Sequence, residues 1–182
     1  MNAVGSIHSI TLGGGCFWCL EAVYLQVRGL LSVESGYSNG QAQQPTYEAV
    51  CSGGTGCAEV VQLKFDPARI GLSEILDVFF LIHDPTTLNR QGHDVGSQYR
   101  SGIYLHTPQQ AQEVSEYVQR LERQALYADP IVTEVLPLAH YWPAEAYHQN
   151  YYARNPYQGY CVHVVSPKLD KLRCKLTRLV AS

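Results

Sequence analysis

Two closely spaced cysteines, Cys16 and Cys19, follow directly after three glycines at residues 13–15. A strand-like run over residues 6–12 precedes the glycines, and a helical pattern over residues 16–27 follows them. Glycine permits the sharp turn at this junction because it has no Cβ. Cys16 then lies at the first helical turn, where unpaired backbone N–H groups and the helix dipole favour an anion. We therefore expect Cys16 to have a lowered thiol pKa and to react as a thiolate.

A second candidate group is Glu59, which follows a glycine-rich segment and begins the alternating apolar run at residues 58–65. Burial among apolar side chains disfavours a charged carboxylate, so it raises the pKa. Such a carboxyl group stays protonated near neutral pH and can donate a proton. Taken alone, however, the segment fits a solvated glutamate better. The stretch 36–40 around Tyr37, also taken alone, predicts an ordinary turn.

Two long polar and aromatic stretches, residues 83–100 and 139–160, show little periodicity. The first contains Asp94 and Tyr99 among many other hydrogen-bonding side chains. Loops of this length inside a compact domain are usually functional. We therefore predict that both stretches contribute to a site.

The remaining pattern alternates between strands and helices. Strand-like runs occur at residues 6–12, 58–65, 101–106, 131–138 and 160–165, and helical patterns at 16–27, 72–82 and 108–126. This mixture predicts an α+β fold with strands and helices in two layers. The 182 residues contain no repeat or linker-like segment, which favours a single domain over residues 1–182.

Composition disfavours several functional classes. The net charge is −3, and the dense basic group at residues 168–178 is expected to be a solvated strand or tail rather than a nucleic-acid site. Apolar runs are too short to cross a bilayer, and the N-terminus has no secretory pattern. We expect a cytoplasmic, reducing location without membrane contact. There, six cysteines serve catalysis or metal binding rather than a disulfide framework.

The C-x-x-C pair leaves several interpretations open. Cys16 and Cys19 could form the redox pair of a general dithiol oxidoreductase, or half of a zinc site completed by Cys51 and Cys57. A structural zinc site requires four ligands, and the chain has no second C-x-x-C. We therefore predict that no metal is bound.

Five motifs occur in order along the chain: G-G-C-F-W, G-Y-x-x-G, C-S-G-x-T-G-x-A-E-V-V, H-D-P-T-x-x-N-R-Q-G-x-D-x-G-x-Q-Y-R-S and Y-H-Q-x-Y. From about Ile7 to about Lys175, the chain resembles the methionine sulfoxide reductase A family. The resemblance implies a two-layer α/β sandwich with a ferredoxin-like core and long functional loops. It also implies thiol-dependent reduction of methionine S-sulfoxide, free or in proteins, without a cofactor. Thioredoxin would recycle the enzyme, which would repair oxidised proteins, and we expect a monomer.

The resemblance also implies a role for each matching residue. Cys16 is expected to attack the sulfoxide sulfur, and Glu59 to protonate the sulfoxide oxygen. The phenols of Tyr37 and Tyr99 are expected to hydrogen-bond that oxygen, and Asp94 to support the site. Two aromatic residues are expected to hold the terminal methyl group of the substrate: Phe17 and Trp18.

Attack by Cys16 would leave a sulfenic acid, which a second thiol condenses to a disulfide. Cys161 follows Tyr160 at the place where relatives often have their resolving residue, so it ranks first. Cys19 ranks next, and Cys174 follows as part of an expected mobile tail. The two other cysteines are expected to pack as small apolar residues: Cys51 and Cys57.

The sequence departs from the usual pattern of the family at four positions. Relatives more often carry Gly, His, Asn and Thr where this chain has Cys19, Cys57, His93 and Ser97. The chain also lacks the glycine-rich tail with late cysteines that several relatives have. These departures leave the identity of the resolving cysteine open.

Overall fold

A computed structural model describes residues 6–181 of the chain. Six strands form one sheet in the order β7-β6-β1-β3-β2-β8, and a separate two-stranded ribbon pairs β4 with β5. The strands are β1 (His8–Gly13), β2 (Leu30–Ser38), β3 (Ala58–Phe65), β4 (Arg90–Gln91), β5 (Asp94–Val95), β6 (Gly102–Leu105), β7 (Glu134–Pro137) and β8 (Tyr141–Pro143). All pairs are antiparallel except β6 with β7, which are parallel.

Six α-helices accompany the sheet: α1 (Phe17–Tyr24), α2 (Tyr47–Cys51), α3 (Leu72–Ile82), α4 (Pro108–Arg123), α5 (Tyr151–Arg154) and α6 (Ser166–Lys175). A π-helical turn, Cys161–Val165, leads directly into α6. Helix α3 is mostly apolar and packs against both α4 and α6. Helix α4 is amphipathic and turns Val114, Tyr117 and Leu121 inward, at the spacing of one helix face.

The main core lies between the sheet and these helices, where β1 and β3 contribute fully buried side chains such as Ile10, Leu12, Val61 and Leu63. The four central strands follow the connectivity β–α–β–β–α–β with the order β6-β1-β3-β2, which is that of a split β–α–β unit. Strands β1 and β3 therefore occupy the centre of the sheet. The turn after β1 and the start of β3 lie at the same end, because the two strands are antiparallel.

The predicted α+β class with strands and helices in two layers is confirmed. Strand β3 and helix α3 have the bounds expected from sequence, and the strands expected near 6–12, 101–106 and 131–138 lie within two or three residues of their predicted ends. The prediction of a turn at residues 36–40 was wrong, because most of that stretch continues β2.

The prediction of a strand at residues 160–165 was also wrong, because this segment is helical. Cys161, Val165, Leu169 and Leu172 are buried, at spacings of four, four and three residues. This helical period extends beyond the short β-branched run that suggested a strand, and packing on α1 and α3 outweighs local β propensity. The basic group is thus carried largely by α6, and Cys174 is an exposed residue of a helix rather than of a mobile tail.

Across residues 6–181, no helix is both long enough and apolar enough to span a lipid bilayer.

Candidate active site

Cys16 is the N-cap residue of α1, directly after the glycine turn that ends β1. Gly15 has a φ of +92°, and a Cβ there would lie 2.8 Å from Cγ of Gln91. The Gly15 N–H also donates to the carbonyl oxygen of Tyr99 at 3.2 Å. The glycine turn therefore both presents Cys16 and brings the Tyr99 segment against it.

Glu59 lies beside this thiol, although the two residues are 43 positions apart in the sequence. Its Oε2 accepts a hydrogen bond from the Phe17 N–H at 3.0 Å. Only 1% of Glu59 is exposed. Its pKa is raised to about 8: burial is the largest cause, the negative charge of Asp94 also raises the pKa, and the Phe17 N–H and the neighbouring Cys16 thiol lower it. The carboxyl group is therefore protonated near neutral pH.

The thiol pKa of Cys16 is raised well above its ordinary value, so the expected lowering was wrong. Burial is the largest cause, followed by the charges of Glu59 and Cys19. The N-terminus of α1 offsets this effect only in part: the Trp18 N–H lowers the thiol pKa, but the Phe17 N–H donates to Glu59 instead. Cys16 therefore rests as a neutral thiol beside a carboxyl group.

Tyr37 is the direct cross-strand neighbour of Glu59, because β2 and β3 pair in that register. Neighbours of this kind point to the same face of the sheet. The Tyr37 hydroxyl donates to Oε2 of Glu145 at 2.8 Å, and Oε1 of Glu145 accepts from the Tyr47 N–H at 2.9 Å. Burial raises the pKa of Tyr37, and the bond to Glu145 raises it further. In this structure the hydroxyl therefore points to Glu145.

Tyr99 lies in a 3₁₀ turn, Ser97–Tyr99, at the end of the long polar loop. Burial raises its pKa, and the charges of Glu59 and Cys16 add to the effect, so the hydroxyl stays protonated. Asp94 lies on the short strand β5, and its Oδ2 accepts a hydrogen bond from the Tyr160 hydroxyl at 2.6 Å. The long polar loop therefore places Asp94 and Tyr99 near Cys16 and Glu59.

Aromatic rings close the opposite side of the site. Phe17 is fully buried, with its ring centroid 5.6 Å from that of Tyr37 and 5.0 Å from that of His148. Trp18 is only partly buried and stacks on Tyr151 at a centroid distance of 3.7 Å and an interplanar angle of 3°. Its indole N–H donates to Nδ1 of His148 at 3.0 Å. The two predicted wall residues are therefore held rigidly by partners from the second long loop.

Sequence reasoning did not single out the residues that orient these groups: Glu21, Glu145, His148, Tyr151 and Tyr160. The buried carboxyl group of Glu21, on α1, accepts hydrogen bonds from the backbone N–H groups of Asn150 at 2.8 Å and Tyr151 at 3.3 Å. It fixes the aromatic loop onto α1. The sequence signals for the loop residues were the density of polar and aromatic side chains and the Y-H-Q-x-Y motif, which contains His148 and Tyr151.

A cavity of about 880 Å³ opens beside Cys16. Among the residues that the structure describes, the cysteines that line this cavity are Cys16 and Cys19. Cys19 lies in the first turn of α1, where its N–H donates to the Cys16 carbonyl oxygen at 3.1 Å. Cys161 is fully buried in the π-helical turn and is absent from the cavity wall. Residues three apart on a helix have Cβ atoms roughly 5–6 Å apart. Cys19 therefore shares the cavity wall with Cys16, whereas Cys161 does not line the cavity.

The zinc interpretation has no support in this geometry. Cys51 is exposed at the end of α2, and Cys57 is buried before β3. Within residues 6–181, no three side chains of His, Cys, Asp or Glu are grouped so that they could hold a metal ion.

Comparison with known proteins decides the family. The family model described as "Peptide methionine sulfoxide reductase" matches residues 8–178. The chain belongs to the peptide methionine sulfoxide reductase family. One curated member, "Peptide methionine sulfoxide reductase MsrA" of Polynucleobacter asymbioticus, is 53% identical over 176 residues, which cover 97% of this chain and 93% of that protein. As a member of this family, the chain catalyses the thiol-dependent reduction of methionine sulfoxide to methionine.

Solved structures of this reductase family have the same fold. Mxr1 from Saccharomyces cerevisiae in its reduced form is 37% identical, with a TM-score of 0.78 over 87% of this chain and 91% of that chain. Mxr1 has also been solved in complex with Trx2, at 28% identity and a TM-score of 0.54 over 80% of this chain and 84% of that chain.

Proposed function

We propose that this reductase acts on the S epimer of methionine sulfoxide, free or in proteins, through nucleophilic attack by Cys16. The observation that carries the proposal is the pairing of the Cys16 thiol with a protonated, buried Glu59. A thiol nucleophile and a proton donor are the two groups that sulfoxide reduction requires. Here Glu59 is hydrogen-bonded to the N–H of Phe17, the residue that follows Cys16 at the start of α1.

Reduction begins when the sulfoxide oxygen accepts hydrogen bonds from the Glu59 carboxyl group and the Tyr99 hydroxyl. These donors draw charge toward the oxygen and make the sulfur electrophilic. The Cys16 sulfur bonds to the substrate sulfur, Glu59 protonates the sulfoxide oxygen, and the thiol proton of Cys16 passes to Glu59. The oxygen then transfers to the Cys16 sulfur as the sulfur–oxygen bond of the substrate and the new sulfur–sulfur bond break, and methionine leaves. Cys16 is left as a sulfenic acid, so the substrate sulfur gains the two electrons that the cysteine sulfur loses.

Phe17 and Trp18 hold the methyl group of the substrate against fixed aromatic surfaces. The role that we propose for Tyr37 differs from the one expected from sequence. Because its hydroxyl already donates to Glu145, we propose that it orients Glu145 and packs on Phe17, while Tyr99 is the phenol that contacts the oxygen. Asp94 acts indirectly, by raising the pKa of Glu59 and holding Tyr160.

The sulfenic acid is resolved by Cys19, which replaces Cys161 as the first candidate. Disulfides need Cα atoms about 4.4–6.8 Å apart, and a three-residue offset at the start of a helix meets this requirement. Cys161 lies buried in another element, away from the cavity wall, and Cys174 is exposed on α6. Thioredoxin then reduces the disulfide through the cavity, in line with the solved complex of Mxr1 with Trx2. The enzyme works as a cytoplasmic monomer with one catalytic domain that repairs oxidised proteins.

A single-turnover experiment without reductant tests this mechanism. We would mix enzyme with separated R and S epimers of N-acetylated methionine sulfoxide and measure methionine formed and free thiols lost. Wild type should form one methionine per enzyme from the S epimer and lose two thiols. Cys16→Ser should form none and keep its circular dichroism spectrum.

Two matched cysteine variants identify the resolving thiol. Cys19→Ser should form methionine but no intramolecular disulfide, and its sulfenic acid should react with dimedone. Cys161→Ser should behave like wild type. Disulfide formation in Cys19→Ser would return the role to Cys161 or Cys174, and turnover by Cys16→Ser would end the proposal.

A further inference from the structure

Lys168 is a partly buried cation on the cavity wall beside the two reactive cysteines. It lies near the start of α6, and its Nζ donates to the carbonyl oxygen of Ile82 at 2.9 Å. Ile82 is the last residue of α3, where the helix dipole places negative charge. The ammonium group is therefore held at one point, and two of its three N–H donors remain for other partners.

Cys19 is buried in the same wall and has few groups that could stabilise its thiolate. Its Sγ lies 3.7 Å from the Tyr160 hydroxyl, whose proton is directed to Asp94. Burial raises the pKa of Cys19, and the positive charge of Lys168 is the largest effect that lowers it. The titratable groups facing Cys19 are Lys168, Tyr160, Asp94, Glu59 and Cys16. Among these five groups, Lys168 is the one that carries a positive charge.

We propose that Lys168 is a positioning residue for the resolving step, because its fixed ammonium group stabilises the thiolate of Cys19 as it attacks Cys16. This inference rests on the proposed function, which assigns the resolving role to Cys19. It adds a residue on α6 to a site otherwise built from α1, β2, β3 and the two long loops.

Disulfide formation releases the sulfenic oxygen as water. Cys19 loses its proton to water in the cavity, and its Sγ attacks the sulfenic sulfur of Cys16. The sulfur–sulfur bond forms as the sulfur–oxygen bond breaks, and the departing hydroxide takes a proton to become water. Cys19 is oxidised and Cys16 is reduced. Cys19 carries a negative charge only before this attack, so a neighbouring cation stabilises its thiolate only at that stage.

The chain provides a matched control one turn further along the same helix. Lys171 also lines the cavity, but it is exposed, and no hydrogen bond fixes its ammonium group to the described residues. The other charged or histidine groups on the wall are His83, Asp84, His93, Asp94, Asp129 and His163. Burial lowers the pKa of His83 to about 4, so this residue stays neutral throughout the experiment.

The test compares Lys168→Met, Lys168→Arg and Lys171→Met in the reductant-free single turnover, from pH 6 to pH 10. Methionine formation, which consumes the first thiol, reports the first step; loss of the second thiol, called thiol loss below, reports disulfide formation. In Lys168→Met, thiol loss should slow about tenfold at pH 7, and its pH profile should move up by about one unit. Methionine formation should keep its rate. Lys168→Arg should recover most of the thiol loss, and Lys171→Met should match wild type.

An unchanged rate and pH profile of thiol loss in Lys168→Met would overturn the inference. Equal slowing of methionine formation and thiol loss would also overturn it, because that result indicates a structural role. Failure of the proposed function appears in different variants: Cys19→Ser would still form the disulfide, or Cys16→Ser would still form methionine.

Discussion

At the scale of single residues, the proton on Glu59 links the geometry of the site to the pH dependence of the reaction. Its pKa is raised to about 8, mainly by burial, so the protonated form predominates below that pH. A protonated carboxyl group can donate to the sulfoxide oxygen, whereas a carboxylate cannot. Methionine formation should therefore decline as the pH rises through about 8.

Glu59→Gln should slow methionine formation by about 10²–10⁴-fold, because the amide keeps the shape but cannot donate a labile proton in the same way. The variant should also lose the decline above pH 8. The measurement is the single-turnover rate from pH 5 to pH 10, with wild type as the control. A reduction of only a few-fold would return Glu59 to a structural role.

At the scale of elements, the strand β2 carries Tyr37 between Glu59 on β3 and Trp142 on β8. Gly36 permits this arrangement, because a Cβ there would lie 2.6 Å from the carbonyl oxygen of Trp142 and would also overlap the ring of Tyr141. Strand β8 leads to Glu145, so close contact between β2 and β8 also places the partner of the Tyr37 hydroxyl.

Gly36→Ala should lower the free energy of unfolding by about 1–3 kcal/mol, since backbone atoms must move to admit the methyl group. It should also slow methionine formation, by up to about 100-fold, because displacement of β8 moves the Glu145 loop. Urea unfolding and single-turnover rates measure the two effects. Gly54→Ala is the control, because its Cβ would meet only the Ser52 Oγ, at 3.7 Å. Equal stability of the two variants would contradict this account of β2.

At the scale of the whole molecule, Arg100 joins segments that are distant in sequence. Its guanidinium group forms an ion pair with Glu134 at 2.7 Å and donates to the carbonyl oxygens of Asn39 at 3.1 Å, Gly56 at 3.1 Å and Ser97 at 2.9 Å. It thereby connects the residue after β2, the segment before β3 and the 3₁₀ turn that contains Tyr99. These are the segments that carry three of the proposed site residues.

Arg100→Met should lower the free energy of unfolding by roughly 2–4 kcal/mol, because several partly buried acceptors lose a charged donor. Arg90→Met is a suitable control, since its Nε donates to the nearby Gly92 carbonyl oxygen at 2.8 Å on an exposed loop. That change should stay within about 0.5 kcal/mol of wild type. Urea unfolding followed by circular dichroism measures both. Similar losses in the two variants would show that Arg100 does not join the segments.

Local patterns in the sequence determined a large part of this molecule. The glycine turn, the α1 start at Cys16, strand β3 and helix α3 follow from periodicity and from residues with strong backbone preferences. The motifs in their order along the chain also indicated the family. These features depend on residues close in sequence, so a single sequence contains them.

Only the tertiary structure decided how the site groups interact. The register of β2 against β3 places Tyr37 beside Glu59, and the fold directs its hydroxyl to Glu145 instead of to the open site. Burial raises the pKa of Cys16, although its place at a helix start predicted the opposite, since desolvation depends on every surrounding element. The packing of α6 likewise turns a strand-like run into a helix and brings Lys168 to the cavity that Cys19 lines. Long-range contacts set these distances and charges, and a local sequence pattern does not encode them.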